Sequence, residues 1–392
     1  MIRGVGAAAL VALFAAVPAA AQDPALELSA ARLVAKGTAI DVKGRGAVPN
    51  DRVQIEIRLK DGRWARLAAA KANQNGRFAR SVRPKKARRR ILLRATTAGA
   101  TSNRVKIKTR PITLAAVGDI NLGNSPGAVM ALRGFRYPWT SVAPALRAAD
   151  VAFGNLECAV STRGAPVPKQ FNFRGPPAAL RTMARFAGFD VLNLANNHTG
   201  DYGTAALLDT VNYVRRFKMT PVGAGGSLES AAEPRVVERL GLRIAFVGFS
   251  NILPSSFFAG PDRAGTQPAT PQLIEAGVKK ARREADVVIA TFHWGIERAT
   301  TEDSRQRAFA STALEAGADA VIGAHPHVLQ PIRRSGSRIV AYSLGNFVFG
   351  ASSSVTARTG ILRLKLSASG VEGARLVPAV IEGTRPRLLN SG

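Results

Sequence analysis

Three kinds of residue are scarce in this sequence: cysteine, histidine and the acidic residues. The single cysteine, Cys158, excludes an internal disulfide framework, and its place beside a predicted strand end favours a small buried hydrophobic side chain. Only 26 Asp and Glu stand against 55 Lys and Arg, which gives a formal net charge of +29 at pH 7. Such an excess favours polyanionic partners: nucleic acid, anionic lipid or an acidic envelope polymer. The composition is globular, with 46% hydrophobic residues, and the length of 392 residues predicts two domains.

The first residues have the layout of a secretory signal peptide. Residues 1–3 include one basic side chain, residues 4–17 are apolar, and residues 18–21 end in a small-x-small pattern. This layout predicts a signal peptide over residues 1–21 and an exported protein, periplasmic or extracellular and associated with the envelope. The alternative is an uncleaved N-terminal anchor. Export disfavours nucleic acid as a partner and favours an envelope polymer.

Residues 23–110 form a basic segment with strand patterns and no helical pattern. Residues 53–59 alternate as in a half-buried strand, and Asp-Gly at 61–62 and Asn-Gly at 75–76 are hairpin signals. The spacing predicts a small all-β sandwich of immunoglobulin-like type. The segment holds 23 Lys and Arg against 6 Asp and Glu, a net charge of +17, and residues 83–90 are its most basic run. That run is either a solvated loop or a patch that captures an anionic polymer.

From residue 111 to residue 392, apolar strand patterns first alternate with helical patterns and then give way to strands. The predicted strands are 113–117, 151–155, 191–194, 243–250, 286–292, 320–323, 338–344, 361–366 and 374–381. The predicted helices are 141–149, 178–188, 204–217, 271–284 and 304–317. Alternating strand and helix units predict a layered α/β domain whose sheets are covered by helices.

Side chains that can bind metal ions recur at the ends of these strands. They are Asp119, Glu157, Asn197, His198, His293, His325 and His327. Open α/β sheets bind their ligands at such strand ends. Carboxylates and imidazoles with one amide suit Zn, Mn or Fe better than Ca. Two ions that share a carboxylate, ~3.5–4 Å apart, would polarise a phosphoryl oxygen and supply a hydroxide nucleophile.

Several of these residues also have a purely structural interpretation. Asp119 ends a strand, where Gly-Asp is common, Glu157 could begin a helix, and His293 could be a core histidine. His325 and His327 are the most specific pair, because the proline between them stiffens a loop that offers two imidazoles. The placement of every histidine at a strand end favours one shared polar site.

Seven motifs resemble, in order and spacing, the CapA family of capsule and poly-γ-glutamate biosynthesis proteins. They are AVGDINLG, NLE, LANNHTGDYG, PVGAGGS, HWGIE, GAHPHVLQP and SLGNFVF. The resemblance covers about residues 111–382 and leaves out the basic N-terminal segment. CapA proteins are related in fold to calcineurin-like metallophosphoesterases, so the resemblance implies a four-layer αββα sandwich for residues 111–392.

The resemblance also implies a centre of two divalent transition metal ions, Mn, Zn or Fe. Its ligands, carried over by position, would be Asp119 and His327 for the first ion, Glu157 as the bridge, and Asn197, His293 and His325 for the second.

The resemblance further implies roles around this centre. His198 would face the substrate as the general acid for the leaving group, and Asp201 would orient a neighbouring ring, although it could equally cap the following helix. Asn121 stands where the wider phosphoesterase pattern has a histidine, which would weaken the first ion site. Arg174 and Glu297 are candidates for substrate contact, since an arginine can hold a phosphate or carboxylate through two hydrogen bonds.

The leading hypothesis is an exported, CapA-like metallohydrolase of capsule, poly-γ-glutamate or envelope-polymer biosynthesis, acting on a phosphoester or on an amide of an anionic polymer. Its expected partners are such a polymer and membrane-associated biosynthesis machinery. The alternative is a non-catalytic polymer-binding component with a structural or vestigial metal site, whose working surface is the basic segment. A nucleic-acid phosphodiesterase fits the charge but not the resemblance.

Overall fold

A computed structural model describes residues 25–85, 88–252 and 254–389. The predicted signal peptide, residues 1–21, lies outside the described residues. The described residues form two compact units. The smaller unit comprises the residues up to Ala30 together with 41–80 and 92–105, and the larger unit comprises the remaining segments, including everything from Lys106 onward. The domain boundary predicted at residue 110 stays a prediction.

Between residues 25 and 110, the described residues form strands and no helix. The strands are β1 (Glu27–Ala30), β2 (Leu33–Ala35), β3 (Ile40–Arg45), β4 (Arg52–Arg58), β5 (Trp64–Lys71), β6 (Phe78–Val82), β7 (Arg90–Thr96) and β8 (Val105–Arg110). They pair as a three-stranded sheet of order β1-β3-β6 and a five-stranded sheet of order β2-β8-β7-β4-β5. In β4, Val53, Ile55 and Ile57 are buried and alternate with more exposed residues, as the sequence pattern predicts. The segment is therefore all-β, and its immunoglobulin-like type stays a prediction.

The larger unit contains most of the strands and all the helices that the structure describes. From residue 111 onward its strands are β9 (Ile112–Ile120), β10 (Val151–Leu156), β11 (Ala159–Val160), β12 (Arg174–Gly175), β13 (Val191–Asn193), β14 (Thr220–Val222), β15 (Ala224–Gly225), β16 (Arg235–Arg239), β17 (Leu242–Ser250), β18 (Gly265–Thr266), β19 (Val287–His293), β20 (Ala320–Ala324), β21 (Ile332–Ser335), β22 (Arg338–Ala341), β23 (Asn346–Val348), β24 (Arg358–Ser367), β25 (Gly370–Glu382) and β26 (Arg385–Leu388).

Its α-helices are α1 (Asn124–Arg133), α2 (Ala143–Arg147), α3 (Pro177–Thr182), α4 (Gly203–Arg216), α5 (Leu228–Ala232), α6 (Pro271–Glu284), α7 (Ser304–Glu315) and α8 (Ser354–Ala357). Two 3₁₀ turns, Tyr137–Trp139 and Ser255–Phe257, and one π-helical turn, Met183–Ala187, complete the helical structure. Within the described ranges no helix has the length and apolar character needed to cross a bilayer.

Two large sheets form the centre of this unit. The eight-stranded sheet has the order β14-β13-β10-β9-β24-β25-β26, with β23 also paired to β9, and the six-stranded sheet has the order β16-β17-β19-β20-β22-β21. In the first sheet, β14, β13, β10, β9 and β23 run parallel, and β24 to β26 are antiparallel. In the second, β17, β19, β20 and β22 are parallel. The parallel strands therefore place several carboxyl ends at one edge of each sheet.

Alternate residues of the central strands enter different hydrophobic cores. Leu114 and Ala116 of β9 pack in the same core as Ile244 and Phe246 of β17, which places the two sheets face to face. The intervening residues of β9 pack against α1 to α4, and those of β17 pack against α6 and α7. Because both faces of each strand are buried, the strands read as continuous apolar runs. The layers follow the order helix, sheet, sheet, helix, which confirms the four-layer αββα prediction.

The helices show which sequence signals were sufficient. The predicted helix 271–284 coincides with α6, where Thr270 accepts a hydrogen bond from the backbone N–H of Leu273 and Pro271 occupies the first turn. Helix α1 was not predicted, because it begins without a side-chain cap and contains both a proline and a glycine. A strong cap followed by a long apolar period marked α6, whereas α5 and α8, which have capping boxes but only five and four residues, were not predicted either.

Four aspartates stand immediately before parallel strands and bind the neighbouring strand. Their carboxylates accept backbone N–H groups as follows: Asp150 from Thr113 at 2.8 Å, Asp190 from Ala152 at 2.8 Å, Asp286 from Arg243 at 3.1 Å, and Asp319 from Val288 at 2.8 Å. Each also pairs with an arginine: Arg110, Arg239, Arg83 and Arg282 respectively. These carboxylates join adjacent strands at the edge opposite to the predicted site.

Replacing Asp150 with Asn should lower the free energy of unfolding by about 1–3 kcal/mol at pH 7, because charged hydrogen bonds to Arg110 and Thr113 are lost. Burial raises the pKa of Asp150, but these hydrogen bonds outweigh it, so the pKa lies below its ordinary value. The stabilisation should therefore be present above about pH 4 and disappear as the pH falls through the lowered pKa.

Urea unfolding of the wild type and Asp150→Asn at pH 7 and pH 3 measures this effect. Asp262→Asn, at an exposed position, is the matched control and should change little. An equal difference between wild type and Asp150→Asn at both pH values would contradict the electrostatic explanation.

Candidate metal centre

The candidate ligands lie at the carboxyl ends of parallel strands from both sheets. The eight-stranded sheet supplies Asp119 near the end of β9, Glu157 after β10 and Asn197 after β13, and the six-stranded sheet supplies His293 at the end of β19 with His325 and His327 after β20. All are buried except His327, which is partly exposed. Because the two sheets pack face to face, side chains far apart in the sequence meet here, as the strand-end pattern predicts.

Glu157 lies at the middle of this group. Its Oε1 is 3.4 Å from His293 Nε2 and 3.9 Å from the Nε2 atoms of both His327 and His198. Neither carboxylate oxygen has a hydrogen-bond partner among the described residues. Burial raises the pKa of Glu157 well above its ordinary value, and the negative charge of Asp119 raises it further. A buried carboxylate without a partner is costly, so a bound cation would be its natural complement.

Asp119 is held in place on both of its oxygens. Its Oδ1 accepts a hydrogen bond from Asn155 Nδ2 at 2.8 Å, and its Oδ2 accepts one from the backbone N–H of His325 at 3.2 Å. His327 Nδ1 lies 3.3 Å from Oδ2. The carboxylate therefore connects β10 with the loop after β20.

His293 and Asn197 are in direct contact. His293 Nε2 lies 2.8 Å from Asn197 Oδ1. Burial lowers the pKa of His293 well below its ordinary value, and the neighbouring His327 lowers it further. The imidazole is therefore neutral, which is the form that binds metal ions.

The loop that carries His325 and His327 has an unusual backbone. Both residues have positive φ angles, +99° and +58°, on either side of Pro326. Such conformations cost free energy and cluster at functional sites. Burial lowers the pKa of His325 well below its ordinary value, and its Nδ1 has no partner among the described residues. Burial would also lower the pKa of His327, but Asp119 outweighs it, so that pKa is raised.

The chemistry of these donors fits divalent transition metal ions. Donor atoms of Glu157, His325 and His327 lie within 4.8 Å of one another, and so do those of Asp119, Glu157 and His293. Glu157 belongs to both groups, as a bridging ligand would. Mixed carboxylate and imidazole donors suit Zn, Mn or Fe. The unpartnered atoms of Glu157 and His325 have the character of ligands without an ion.

His198 projects into the same group and is oriented by two contacts. Its Nδ1 donates to Asp201 Oδ2 at 2.6 Å, and the ring of Phe173 stacks on its imidazole with centroids 4.0 Å apart. Burial lowers the pKa of His198, and Asp201 opposes that effect. The contact with Asp201 is the orienting interaction that the resemblance implied, and it leaves Nε2 facing Glu157.

Sequence reasoning missed two side chains at this site. Lys169 Nζ donates to Asp201 Oδ1 at 2.6 Å and to the backbone carbonyl of Asn197, and it lies 3.1 Å from His198 Nδ1. Its segment has no periodic pattern that would have indicated this place. Asn155 was inside a recognised motif, but nothing in the sequence indicated its contacts.

The remaining predicted residues lie around the centre. Asn121 is buried, and its Oδ1 accepts a hydrogen bond from the backbone N–H of Gly123 at 2.7 Å, so this oxygen is engaged at the start of α1. Arg174 is exposed, with its guanidinium 4.1 Å from the ring centroid of Tyr202. Glu297 is exposed on the loop after β19. The substrate contacts predicted for Arg174 and Glu297 stay predictions.

The part of the chain that carries the candidate ligands is similar to known proteins. Residues 113–351 match the family described as "Bacterial capsule synthesis protein PGA_cap". The chain is 32% identical over 273 residues to the PGA biosynthesis protein CapA of Bacillus subtilis, covering 69% of this chain and 72% of that protein. It is 30% identical over 312 residues to the capsule biosynthesis protein CapA of Bacillus anthracis, covering 77% and 76% respectively. All the candidate ligands lie within the matched residues.

A solved structure, the 5'-nucleotidase precursor from Thermus thermophilus, superposes with a TM-score of 0.40 at 12% identity, covering 71% of this chain and 54% of that chain. The evidence for the four-layer architecture is the strand pairing and the hydrophobic cores of this chain, not this superposition.

Replacing Glu157 with Gln should raise the stability of the metal-free protein by about 1–3 kcal/mol at pH 7. Because burial raises the pKa of Glu157, the folded protein must either bury its charge or take up a proton at that pH, and Gln requires neither. Thermal unfolding in the presence of a chelator should show a higher midpoint for Glu157→Gln than for the wild type.

Glu302→Gln is the matched control. Glu302 is also buried, but its Oε1 accepts from Arg333 Nε at 2.9 Å, so this substitution should lower the midpoint. A Glu157→Gln midpoint that falls like that of Glu302→Gln would contradict the picture of Glu157 as an uncompensated charge.

Proposed function

The chain belongs to the PGA_cap family of bacterial capsule synthesis proteins, and from that membership we propose that it is an exported, metal-dependent hydrolase acting on an anionic envelope polymer or its precursor. The observation that carries the hydrolase part is the carboxylate of Glu157, buried without a hydrogen-bond partner among imidazoles. The proposal of export rests on the signal-peptide pattern of residues 1–21.

The residues proposed to hold two divalent ions are Asp119, Glu157, Asn197, His293, His325 and His327. Bound there, the ions would supply Lewis acidity toward a phosphoryl or carbonyl oxygen of the substrate. The retention of all four histidines with both carboxylates supports a functional centre over a vestigial one.

His198 is proposed to move the proton of the leaving group. Its Nδ1–H donates to Asp201, so Nε2 is the atom that can hold or release a proton toward the substrate. Phe173 covers one face of the ring, and Lys169 holds Asp201 from the other side of the carboxylate. These contacts keep the imidazole in one orientation, which a general acid requires.

Charge supports an anionic polymer as the substrate or partner. The net charge of +29 would concentrate a polyanion near the protein, and residues 23–110 carry +17 of it. Relatives named for PGA and capsule biosynthesis make poly-γ-glutamate the first polymer to test. Association with membrane-bound biosynthesis machinery is part of the same proposal.

The second candidate function is non-catalytic polymer binding. The observation that favours it is the basic character of residues 23–110, which lie entirely outside the family match over residues 113–351. In this case the metal centre would be structural, and the basic segment would be the working surface.

Metal content and hydrolysis should depend on the same residues. Purified mature protein supplied with Mn, Zn or Fe should hydrolyse generic phosphomonoesters or phosphodiesters. Glu157→Ala and His327→Ala should lose bound metal and activity together, since each removes a ligand. Metal analysis and a chromogenic phosphoester assay measure the two quantities.

His198→Ala is the matched variant. It should keep the metal content of the wild type and lose about 10²–10⁴-fold in rate, the range expected when a general acid is removed. A wild-type protein that binds metal but is inert toward phosphoesters and toward poly-γ-glutamate would favour the non-catalytic function.

Polymer binding should be electrostatic. Affinity for poly-γ-glutamate should fall steeply with salt, and neutralising the basic positions of residues 85–90 should weaken it at low salt. Binding measured by calorimetry at two ionic strengths checks this. Residues 85–90 contain five basic side chains, so the control for total charge neutralises five exposed ones elsewhere: Arg181, Arg185, Arg215, Arg216 and Lys218. Equal losses in both variants would remove the specific role of residues 85–90.

A further inference from the structure

Asn155 is a buried amide at the centre with no role in the proposed function. It lies on β10, two residues before Glu157, and is 2% exposed. Its Nδ2 is 2.8 Å from Asp119 Oδ1 and 3.2 Å from His293 Nδ1. Its Oδ1 accepts from Asn193 Nδ2 at 2.9 Å and from Asn196 Nδ2 at 3.4 Å. One amide thus contacts candidate ligands from both sheets.

Hydrogen-bond chemistry determines which way this amide faces. A carboxylate oxygen of Asp119 accepts, so the atom 2.8 Å from it must be the donating nitrogen. On the other side, Asn196 Oδ1 accepts from the backbone N–H groups of His198 and Thr199, both at 3.0 Å. Asn196 therefore presents its own nitrogen to Asn155 Oδ1. Both neighbours require the same orientation of the Asn155 amide.

This orientation determines the tautomer of His293. An amide nitrogen donates only, so His293 Nδ1 must accept, and the hydrogen of the neutral ring lies on Nε2. Nε2 is 2.8 Å from Asn197 Oδ1, to which it donates. A hydrogen bond thus joins the two side chains that the proposed centre needs as ligands of one ion.

His327 has the opposite arrangement. Its Nδ1 lies 2.9 Å from Asn346 Oδ1 and 3.3 Å from Asp119 Oδ2, both of which accept. The hydrogen is therefore on Nδ1, and Nε2 is left with a free lone pair facing Glu157 at 3.9 Å. A metal-bound histidine ordinarily donates its other N–H to an oxygen in this way. His327 is ready to bind an ion through Nε2, whereas His293 is not.

We infer that Asn155 is a positioning residue that weakens ion binding at His293, so that the two ions of the proposed centre bind with unequal affinity. If His293 held an ion through Nε2, its ring hydrogen would lie on Nδ1, against the N–H of Asn155. To remove this clash between two N–H groups, the Asn155 amide would have to rotate, and the rotation would break its hydrogen bonds with Asp119 and Asn193. This inference rests on the proposed metal centre.

The tautomers can be observed directly. The chain has four histidines, so selective ¹⁵N-histidine labelling resolves the ring nitrogens by NMR. In the metal-free protein, His293 should carry its hydrogen on Nε2 and His327 on Nδ1, with signals assigned by His293→Ala and His327→Ala. A hydrogen on Nδ1 of His293 overturns the inference.

Calorimetric titration of the metal-free protein with Mn²⁺ or Zn²⁺ measures the consequence. The wild type should bind one ion tightly and a second at least about tenfold more weakly. Asn155→Ser should tighten the weaker ion by about tenfold, because a hydroxyl can accept the hydrogen of Nδ1. Asn155→Ala, which removes the competing N–H without adding charge, should act in the same direction and serves as a second variant if the serine variant fails to fold.

Asn346→Ser is the matched control, because its hydroxyl keeps an acceptor beside His327 without adding charge and should leave the weaker ion unchanged. Two equally tight ions in the wild type, or no tightening in either Asn155 variant, overturns the inference while the metal centre stands. A wild type that binds no ion overturns the metal centre itself, and the inference with it.

Discussion

The larger unit is organised around one unfavourable interaction, the burial of an unpaired carboxylate. Glu157 has no hydrogen-bond partner among the described residues, and three imidazole nitrogens face one of its oxygens at 3.4–3.9 Å. Two of these rings, His198 and His293, have lowered pKa values because they are buried, so they do not simply neutralise it. The packed sheets hold these side chains together, and the surrounding hydrophobic cores offset the cost of burying the carboxylate.

Much of this could be predicted from the sequence, for an identifiable reason. Strands buried on both faces read as apolar runs, so a polar residue at the end of such a run stands out, as Asp119 and His293 do. The parallel strands of the two mixed sheets then bring those ends to one place. The layered α/β class and the capped helix α6 followed from such local signals, whereas the four-layer order came from the family resemblance. Which of these residues bind which ion stays a prediction, because it depends on side-chain positions rather than on strand order.

What sequence reasoning missed comes from contacts without a local signal. Lys169 contacts Asp201 from a segment without regular structure, and no sequence feature distinguishes this lysine in a chain with 55 basic residues. Asn155 acts through a contact with His293 across two sheets, 138 positions away in the sequence. Sequence periodicity gives no information about a contact between residues so far apart in the chain. The tautomer of a histidine is a property of its neighbours in space, so it could be obtained only after the strands were assembled.

The aspartates that join neighbouring strands at the opposite edge have a consequence for strand length. Asp150 and Glu157, Asp190 and Asn197, and Asp286 and His293 are each separated by seven residues. After Asp286 the whole stretch to His293 is strand β19, which spans about 23 Å between a structural anchor and a candidate ligand, at about 3.3 Å per residue. One residue inserted into such a strand, or deleted from it, would move either the anchoring aspartate or the candidate ligand by about 3.3 Å. These strands can change many of their side chains, but they must keep their length.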